Sequence, residues 1–95
     1  MNVQILIKLL TDIKKNTPVL FIYGTKTLSI SLDSNKEKRY TAINLKDHSH
    51  KTLKVWELVI LLKSLPPTNL IYVETKKYRQ QIFGLRIADG KIYLK

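Results

Sequence analysis

The sequence contains no cysteine, and this absence excludes disulfide bonds, thiolate metal sites and cysteine nucleophiles. Its three glycines are isolated from one another, so there is no glycine-rich loop of the kind that binds phosphate groups. The apolar residues at the start lack a preceding basic segment and are soon interrupted by Lys8, Asp12 and Lys14. We therefore expect neither a signal peptide nor a membrane span, and a cytoplasmic protein without a cofactor.

Acidic residues are scarce: there are 7 of them against 17 basic residues, which gives a net charge of +10. Such an excess on a small protein creates a positive surface potential that attracts polyanions such as nucleic acids. A lysine-rich, fully solvated surface would show the same imbalance, so both interpretations stay open. The length of 95 residues and the apolar fraction of 44% predict a single folded domain over residues 1–95.

Apolar residues at helical spacing predict two helices, over residues 3–15 and 52–65. Pro18 and the pair Pro66-Pro67 follow these segments and are typical of helix ends. The expected core faces of the two helices comprise Ile5, Leu6, Leu9, Leu10 and Ile13 in the first and Val55, Leu58, Val59, Leu62 and Leu65 in the second.

Short apolar or alternating runs predict six strands. Between the last two, Asp89-Gly90 is a strong signal for a two-residue hairpin turn. We expect an α+β fold of two layers, in which two helices pack on an antiparallel sheet of about six strands. The predicted strands cover residues 19–23, 27–33, 40–45, 69–74, 79–88 and 91–94.

The chain also shows a weak internal repeat. Val3 and Val55 lie 52 residues apart, and the apolar residues of the two helices match at this spacing. One residue of slip then aligns residues 19–23 with residues 70–74. Two helix-plus-meander repeats, 1–45 and 52–95, would explain the match, although any two amphipathic helices followed by strands would align similarly.

The second half carries a resemblance to a known type of protein. Its order is a helix, Leu-Lys-Ser-Leu-Pro-Pro at residues 62–67, a strand, and Gly-Leu-Arg-Ile-Ala-Asp-Gly-Lys-Ile-Tyr-Leu at residues 84–94. This order resembles small phage and prophage accessory proteins of unknown function. The resemblance covers less than half of the chain and implies a mobile-element origin and an accessory or regulatory role. It transfers no catalytic residue.

No set of residues suggests catalysis, so we expect a non-enzymatic protein. The run Asp47-His48-Ser49-His50 contains a carboxylate and two imidazoles, which are possible zinc ligands. A third or fourth ligand is missing nearby, and adjacent loop residues do not provide triad geometry. A solvated linker is the favoured interpretation, without a metal.

Basic turns that contain tyrosines are the best functional signal. Lysine and arginine neutralise phosphates, and a tyrosine ring can stack on a base. The leading hypothesis is therefore a small basic protein that contacts nucleic acid or a nucleoprotein complex. The candidate residues are Lys26, Lys38, Arg39, Tyr40, Lys76, Lys77, Tyr78, Arg79 and Arg86.

Three apolar residues of the second helix, Leu53, Trp56 and Ile60, fall outside its core stripe. They predict either a second buried flank or a surface that binds a partner, because aromatic residues supply much of interface energy. The alternative hypothesis is thus a protein-interaction module. A phage-encoded inhibitor of a host or defence protein and a homodimer or larger homo-oligomeric structural protein both fit it.

Overall fold

The computed structural model describes residues 1–32, 39–46, 52–77 and 79–95. Within these residues the chain forms two helices and seven strands. In chain order they are α1 (Val3–Thr11), β1 (Val19–Tyr23), β2 (Lys26–Leu32), β3 (Tyr40–Lys46), α2 (Val55–Lys63), β4 (Leu70–Glu74), β5 (Arg79–Gln81), β6 (Leu85–Ala88) and β7 (Lys91–Leu94).

The two helices start in different ways. The side-chain Oδ1 of Asn2 accepts a hydrogen bond from the amide of Ile5 at 2.9 Å, which caps the N-terminus of α1. At the start of α2 the carboxylate of Glu57 instead accepts a hydrogen bond from the amide of Lys54 at 3.2 Å. Each helix is shorter than the apolar periodicity predicts, and α1 ends at Thr11.

The predicted Asp89-Gly90 hairpin is confirmed. Asp89 and Gly90 have φ values of 53° and 71°, the left-handed pair that a two-residue turn of type I′ requires. This turn joins β6 to β7, which pair in an antiparallel register. Gly24 has a φ value of 62° in the turn between β1 and β2.

The strands form one mixed sheet in the order β5-β4-β3-β2-β1-β7-β6. Two neighbouring pairs, β3 with β4 and β1 with β7, are parallel, and the other pairs are antiparallel. The expectation of an antiparallel sheet is therefore wrong. The α2 connection returns the chain to the end of the sheet where β3 began, so β4 lies beside β3 in the same direction.

The sheet also curls back on itself. Its outermost strands, β5 and β6, are joined by only three residues, 82–84. A link of that length spans about 13 Å, whereas the edges of a flat seven-stranded sheet would lie about 29 Å apart. The amide of Ile82 bonds to the carbonyl of Ile71 in β4, and the amide of Phe83 bonds to the carbonyl of Lys95 after β7. These bonds close the sheet into a barrel, in which β5 and β6 act as one bent strand.

The helices cover one end of this barrel. The amide of Val3 bonds to Asn69 just before β4, and the amide of Val55 bonds to Thr17 just before β1. The helices contact each other there. Because the sheet curls into a barrel and the helices lie at its end rather than on a flat face, the expected two-layer arrangement is wrong as well. Buried side chains from both helices meet the barrel interior, and the core includes Val3, Leu6, Leu10, Val55, Leu58 and Leu62 with Ile30, Ile43, Ile71 and Ile92.

The buried face of α1 differs from the predicted one. Ile5 and Leu9 are 47% and 44% exposed, although both were expected in the core. The buried stripe is Val3, Leu6 and Leu10 at positions i, i+3 and i+7. In α2, by contrast, the predicted stripe is largely confirmed, with Val59 half-buried and Val55, Leu58, Leu62 and Leu65 buried.

Backbone hydrogen bonds at the helix starts recur at a spacing of 52 residues. The bond from Val3 to Asn69, for example, matches the bond from Val55 to Thr17. This spacing needs no slip, so Val19 corresponds to Ile71 rather than to Leu70. A duplicated ancestral half remains a prediction. The other matched donor and acceptor pairs are Gln4 to Pro67 with Trp56 to Lys15, and Ile71 to Met1 with Val19 to Leu53.

Candidate nucleic-acid interface

Lysines surround the end of the barrel that lies opposite the helices. Strands β1, β3, β4 and β7 all run in one direction, so their carboxyl ends meet at that end. We call the exposed lysines at these ends and in the adjoining turns the lysine rim. Three of its members were predicted from the sequence and two, Lys46 and Lys95, were not, because their proximity depends on strand order. The rim consists of Lys26, Lys46, Lys76, Lys77 and Lys95.

The predicted site residue Arg79 belongs to a cluster of aromatic side chains on the outside of the barrel. Its guanidinium carbon lies 4.9 Å from the ring centroids of both Tyr40 and Tyr72. These two rings contact each other edge to face at 5.5 Å. The Tyr40 hydroxyl donates a hydrogen bond to Glu74 at 2.5 Å, which fixes the ring. Tyr40, which the sequence analysis predicts to stack on a base, contacts Arg79 in the structure.

The predicted residue Arg86 forms a second stack of the same kind. Arg86 and Tyr93 face each other across β6 and β7, and the guanidinium carbon lies 5.7 Å from the ring centroid. Arginine over a tyrosine ring gains a cation–π attraction, and its planar group keeps N–H donors for other partners. The bent β5–β6 strand therefore carries a tyrosine-supported arginine on each side of its three-residue link.

Phe83 lies in that link and is 71% exposed. In the sequence Phe83 alternates with Leu85 and Ile87, a pattern that predicts one shared strand face. In the structure Leu85 packs against the core while Phe83 points outward. The cause is the interruption at residues 82–84, which are not part of either strand. The bent strand thus displays a surface that sequence reasoning missed. We call it the arginine–aromatic face: Arg79, Phe83 and Arg86 with Tyr72 and Tyr93.

The remaining predicted nucleic-acid contacts do not join this face. Arg39 is exposed and precedes β3, at the end of the barrel opposite the lysine rim. The turn that corresponds to Lys76 and Lys77 at the 52-residue spacing is Gly24-Thr25, not the basic run at residues 36–39. Lys38, Tyr78 and the possible metal ligands at residues 47–50 lie outside the described residues.

A groove forms where the end of α1 meets the start of α2. Its apolar lining includes Ile13, Val59, Trp56 and Ile60, and its volume is about 380 Å³. Trp56 and Ile60 are 44% and 59% exposed, so neither helix nor strand covers them fully. Leu53, the third predicted interface residue, packs against the core and is half-buried. We call this surface the helix groove.

Comparisons with known proteins identify no relative. No protein-family model matches the chain. No curated protein and no solved structure matches it either. In the part of the chain that the structure describes, neither helix has the length and apolar character needed to cross a membrane.

Proposed function

We propose that this protein is a small, non-catalytic binding protein that holds single-stranded nucleic acid on the arginine–aromatic face. The observation that carries the proposal is the highly exposed ring of Phe83 between two arginines that are each stacked on tyrosine. Exposed rings offer stacking surfaces to unpaired bases, and arginines neutralise the phosphates that connect them. In this proposal the lysine rim adds further phosphate contacts.

Single strands fit this surface better than duplexes do. A duplex hides the faces of its bases in the helical stack, so Phe83 would have no base to contact without unstacking. The distance from Arg79 to Arg86 along the bent strand is about 23 Å, at roughly 3.3 Å per residue. That length accommodates contacts to several successive nucleotides. Phosphate contacts and ring stacking are tolerant of sequence, so we expect little base preference.

The tyrosines make the arginines better phosphate ligands. A free arginine side chain loses considerable rotamer entropy when it binds, but Arg79 already lies against two rings in the unbound protein. The same argument applies to Arg86 on Tyr93. Binding of a phosphate therefore costs less side-chain conformational entropy on this face than at the lysines of the rim.

The cellular setting belongs to the same proposal. A protein without cysteine suits the reducing cytoplasm. The resemblance of its second half to phage and prophage proteins suggests an accessory role in a mobile element, either on nucleic acid itself or on a nucleoprotein complex. The alternative function is recognition of a host protein or of a second copy of the chain, and its surface would be the helix groove.

The first experiment is fluorescence anisotropy with a labelled single-stranded DNA, the matching RNA, and a duplex of the same sequence. Each titration is done at low and at physiological salt. We expect both single strands to bind more tightly than the duplex, with an affinity that falls steeply with salt. Equal or tighter binding of the duplex would contradict the stacking role, and no binding at either salt would contradict the whole proposal.

A Phe83→Ser variant tests the face directly. Serine is the residue at the corresponding position 31, in β2 of the first half. Loss of base stacking should weaken single-strand binding about tenfold or more and leave duplex binding nearly unchanged. Ile87→Ser is the matched control, because Ile87 is also exposed, at 59%, but lies beside the hairpin turn. Similar losses of single-strand affinity in both variants would show that Phe83 is not part of the binding site.

A further inference from the structure

The exposed apolar residues of the helix groove are not required by the fold. The amides of Gln4 and Trp56 make matching backbone hydrogen bonds, to Pro67 and Lys15, at the 52-residue spacing. At the same spacing, Lys8 in α1 corresponds to Ile60 in α2. Both α1 residues are polar, yet α1 buries the same three-residue stripe as α2. Trp56 and Ile60 therefore lie where polar side chains build an equivalent helix.

The charged side chains that line the groove are both basic. Lys15 and Lys63 contribute to its lining, and among the residues that the structure describes no acidic side chain does. Lysine stems can cover apolar surface while their ammonium groups reach the edge of the groove. An occupant with carboxylates beside its apolar face would pair with both lysines.

A second copy of this chain is a poor occupant. Each copy carries a net charge of +10, so bringing two copies together around lysine-edged grooves is opposed by repulsion. Its own acidic residues number only 7 in 95. A partner of opposite charge avoids this cost and approaches faster through electrostatic attraction.

We propose that the helix groove binds an acidic amphipathic helix from another protein. Two helices that flank an apolar groove are a common receptor for a third helix, which inserts side chains spaced at i, i+3 or i+4, and i+7. Trp56 provides a large aromatic contact at the centre, and Lys15 and Lys63 select for glutamate or aspartate on the sides of the occupant. This site is independent of the arginine–aromatic face.

The test uses Trp56 as its own reporter, because it is the only tryptophan in the chain. The probe is a synthetic amphipathic peptide of about four helical turns, with leucines on one face and glutamates on the other. Binding should shift the Trp56 emission to shorter wavelength and protect it from acrylamide quenching. Two control peptides define the chemistry: one replaces every glutamate by lysine, and one scrambles the sequence so that no apolar face remains.

Two variants locate the binding. The double variant Trp56→Gln with Ile60→Lys carries the residues found at the corresponding α1 positions. It should therefore fold normally but no longer bind the peptide. Because this variant lacks the reporter, anisotropy of a labelled peptide replaces the tryptophan signal. The double variant Lys15→Glu with Lys63→Glu retains the apolar lining, and its affinity for the acidic peptide should be at least tenfold lower. Both variants should bind single-stranded DNA, although the second more weakly because its net charge is lower.

The proposal is supported if only the acidic amphipathic peptide binds and both double variants lose it. Equal binding of the acidic and scrambled peptides would overturn it, since that result indicates general attraction to a basic protein. Equal binding of the lysine peptide would overturn the role of charge. A solution mass twice that of the chain, with Trp56 already protected from quenching, would show that a second copy is the occupant instead.

Discussion

Helices α1 and α2 occupy related positions and bury the same pattern of side chains, yet they present different surfaces to solvent. Val3, Leu6 and Leu10 correspond to Val55, Leu58 and Leu62, and all six are buried. The two patterns diverge on the outside, because α1 carries Gln4 and Lys8 at the positions where α2 exposes Trp56 and Ile60. The buried residues that the two helices share are those that packing against the barrel end requires. The exposed residues that differ are not required for that packing.

The strands show the same contrast. In the first half β2 is a continuous seven-residue strand, whereas the segment at the 52-residue spacing in the second half is divided between β5 and the three-residue link that precedes β6. The division exposes Phe83 at the position that corresponds to Ser31. The turns differ as well, because Lys76 and Lys77 correspond to Gly24 and Thr25. Both candidate binding surfaces are thus concentrated in the second half.

The largest expected effect tests what the two helices share. Leu6→Ala and Leu58→Ala should each lower the free energy of unfolding by about 2–5 kcal/mol, because both side chains are fully buried. The measurement is urea denaturation followed by circular dichroism. Leu9→Ala and Leu61→Ala are the matched controls at exposed positions of the same helices. If Leu9→Ala were as costly as Leu6→Ala, the core face of α1 would be misassigned.

The next effect tests the contrast between turns. Replacing Lys76 and Lys77 by glutamate should reduce affinity for single-stranded DNA by about 10- to 100-fold at low salt. The slope of log affinity against log salt concentration should become shallower by about two. Reversing Lys8 and Lys14 to glutamate changes the net charge equally but lies away from the lysine rim. Anisotropy titrations at several salt concentrations compare the two variants. Equal losses would mean that total charge, rather than the rim, determines binding.

The smallest effect tests how the helices begin. Asn2→Ala removes the side-chain cap of α1 and should destabilise the protein by about 1 kcal/mol. Lys54→Asn gives α2 the cap that it lacks and should stabilise the protein by up to about 1 kcal/mol. Thermal melts can resolve these changes, since 1 kcal/mol shifts the melting temperature of a domain this size by about 4–8 °C. A stabilised Asn2→Ala variant or a destabilised Lys54→Asn variant would refute the comparison.

Local structure was predictable where it depends on local chemistry. The sequence predicts the bounds of β1 and β7 as the structure has them, and it predicts the Asp89-Gly90 turn. It also predicts the buried stripe of α2. In each case backbone preference and the apolar pattern favour the same outcome. The face of α1 was misplaced because Ile5, Leu9 and their apolar neighbours cover more than one side of a short helix.

The architecture was not predictable in the same way. Alternation shows which face of a strand is buried, but it does not show which strand lies alongside, so parallel pairing and barrel closure were missed. The outward position of Phe83 follows from barrel closure, because the bent strand must pair with β4 through β5 and with β7 through β6. Strand order also determines that Lys46 and Lys95 approach the predicted lysines. A pattern in one dimension contains no information about these contacts.

Barrel closure has a consequence for the order in which the protein is made. Val19 in β1 pairs with Ile92 in β7, and these strands lie near opposite ends of the sequence. During synthesis β1 therefore emerges long before its second neighbour exists and exposes an unpaired edge of apolar strand in the meantime. Contacts between such distant residues form slowly because the intervening chain must be ordered first. Folding of the first half is thus completed only after β7, which is synthesised long after β1, has emerged.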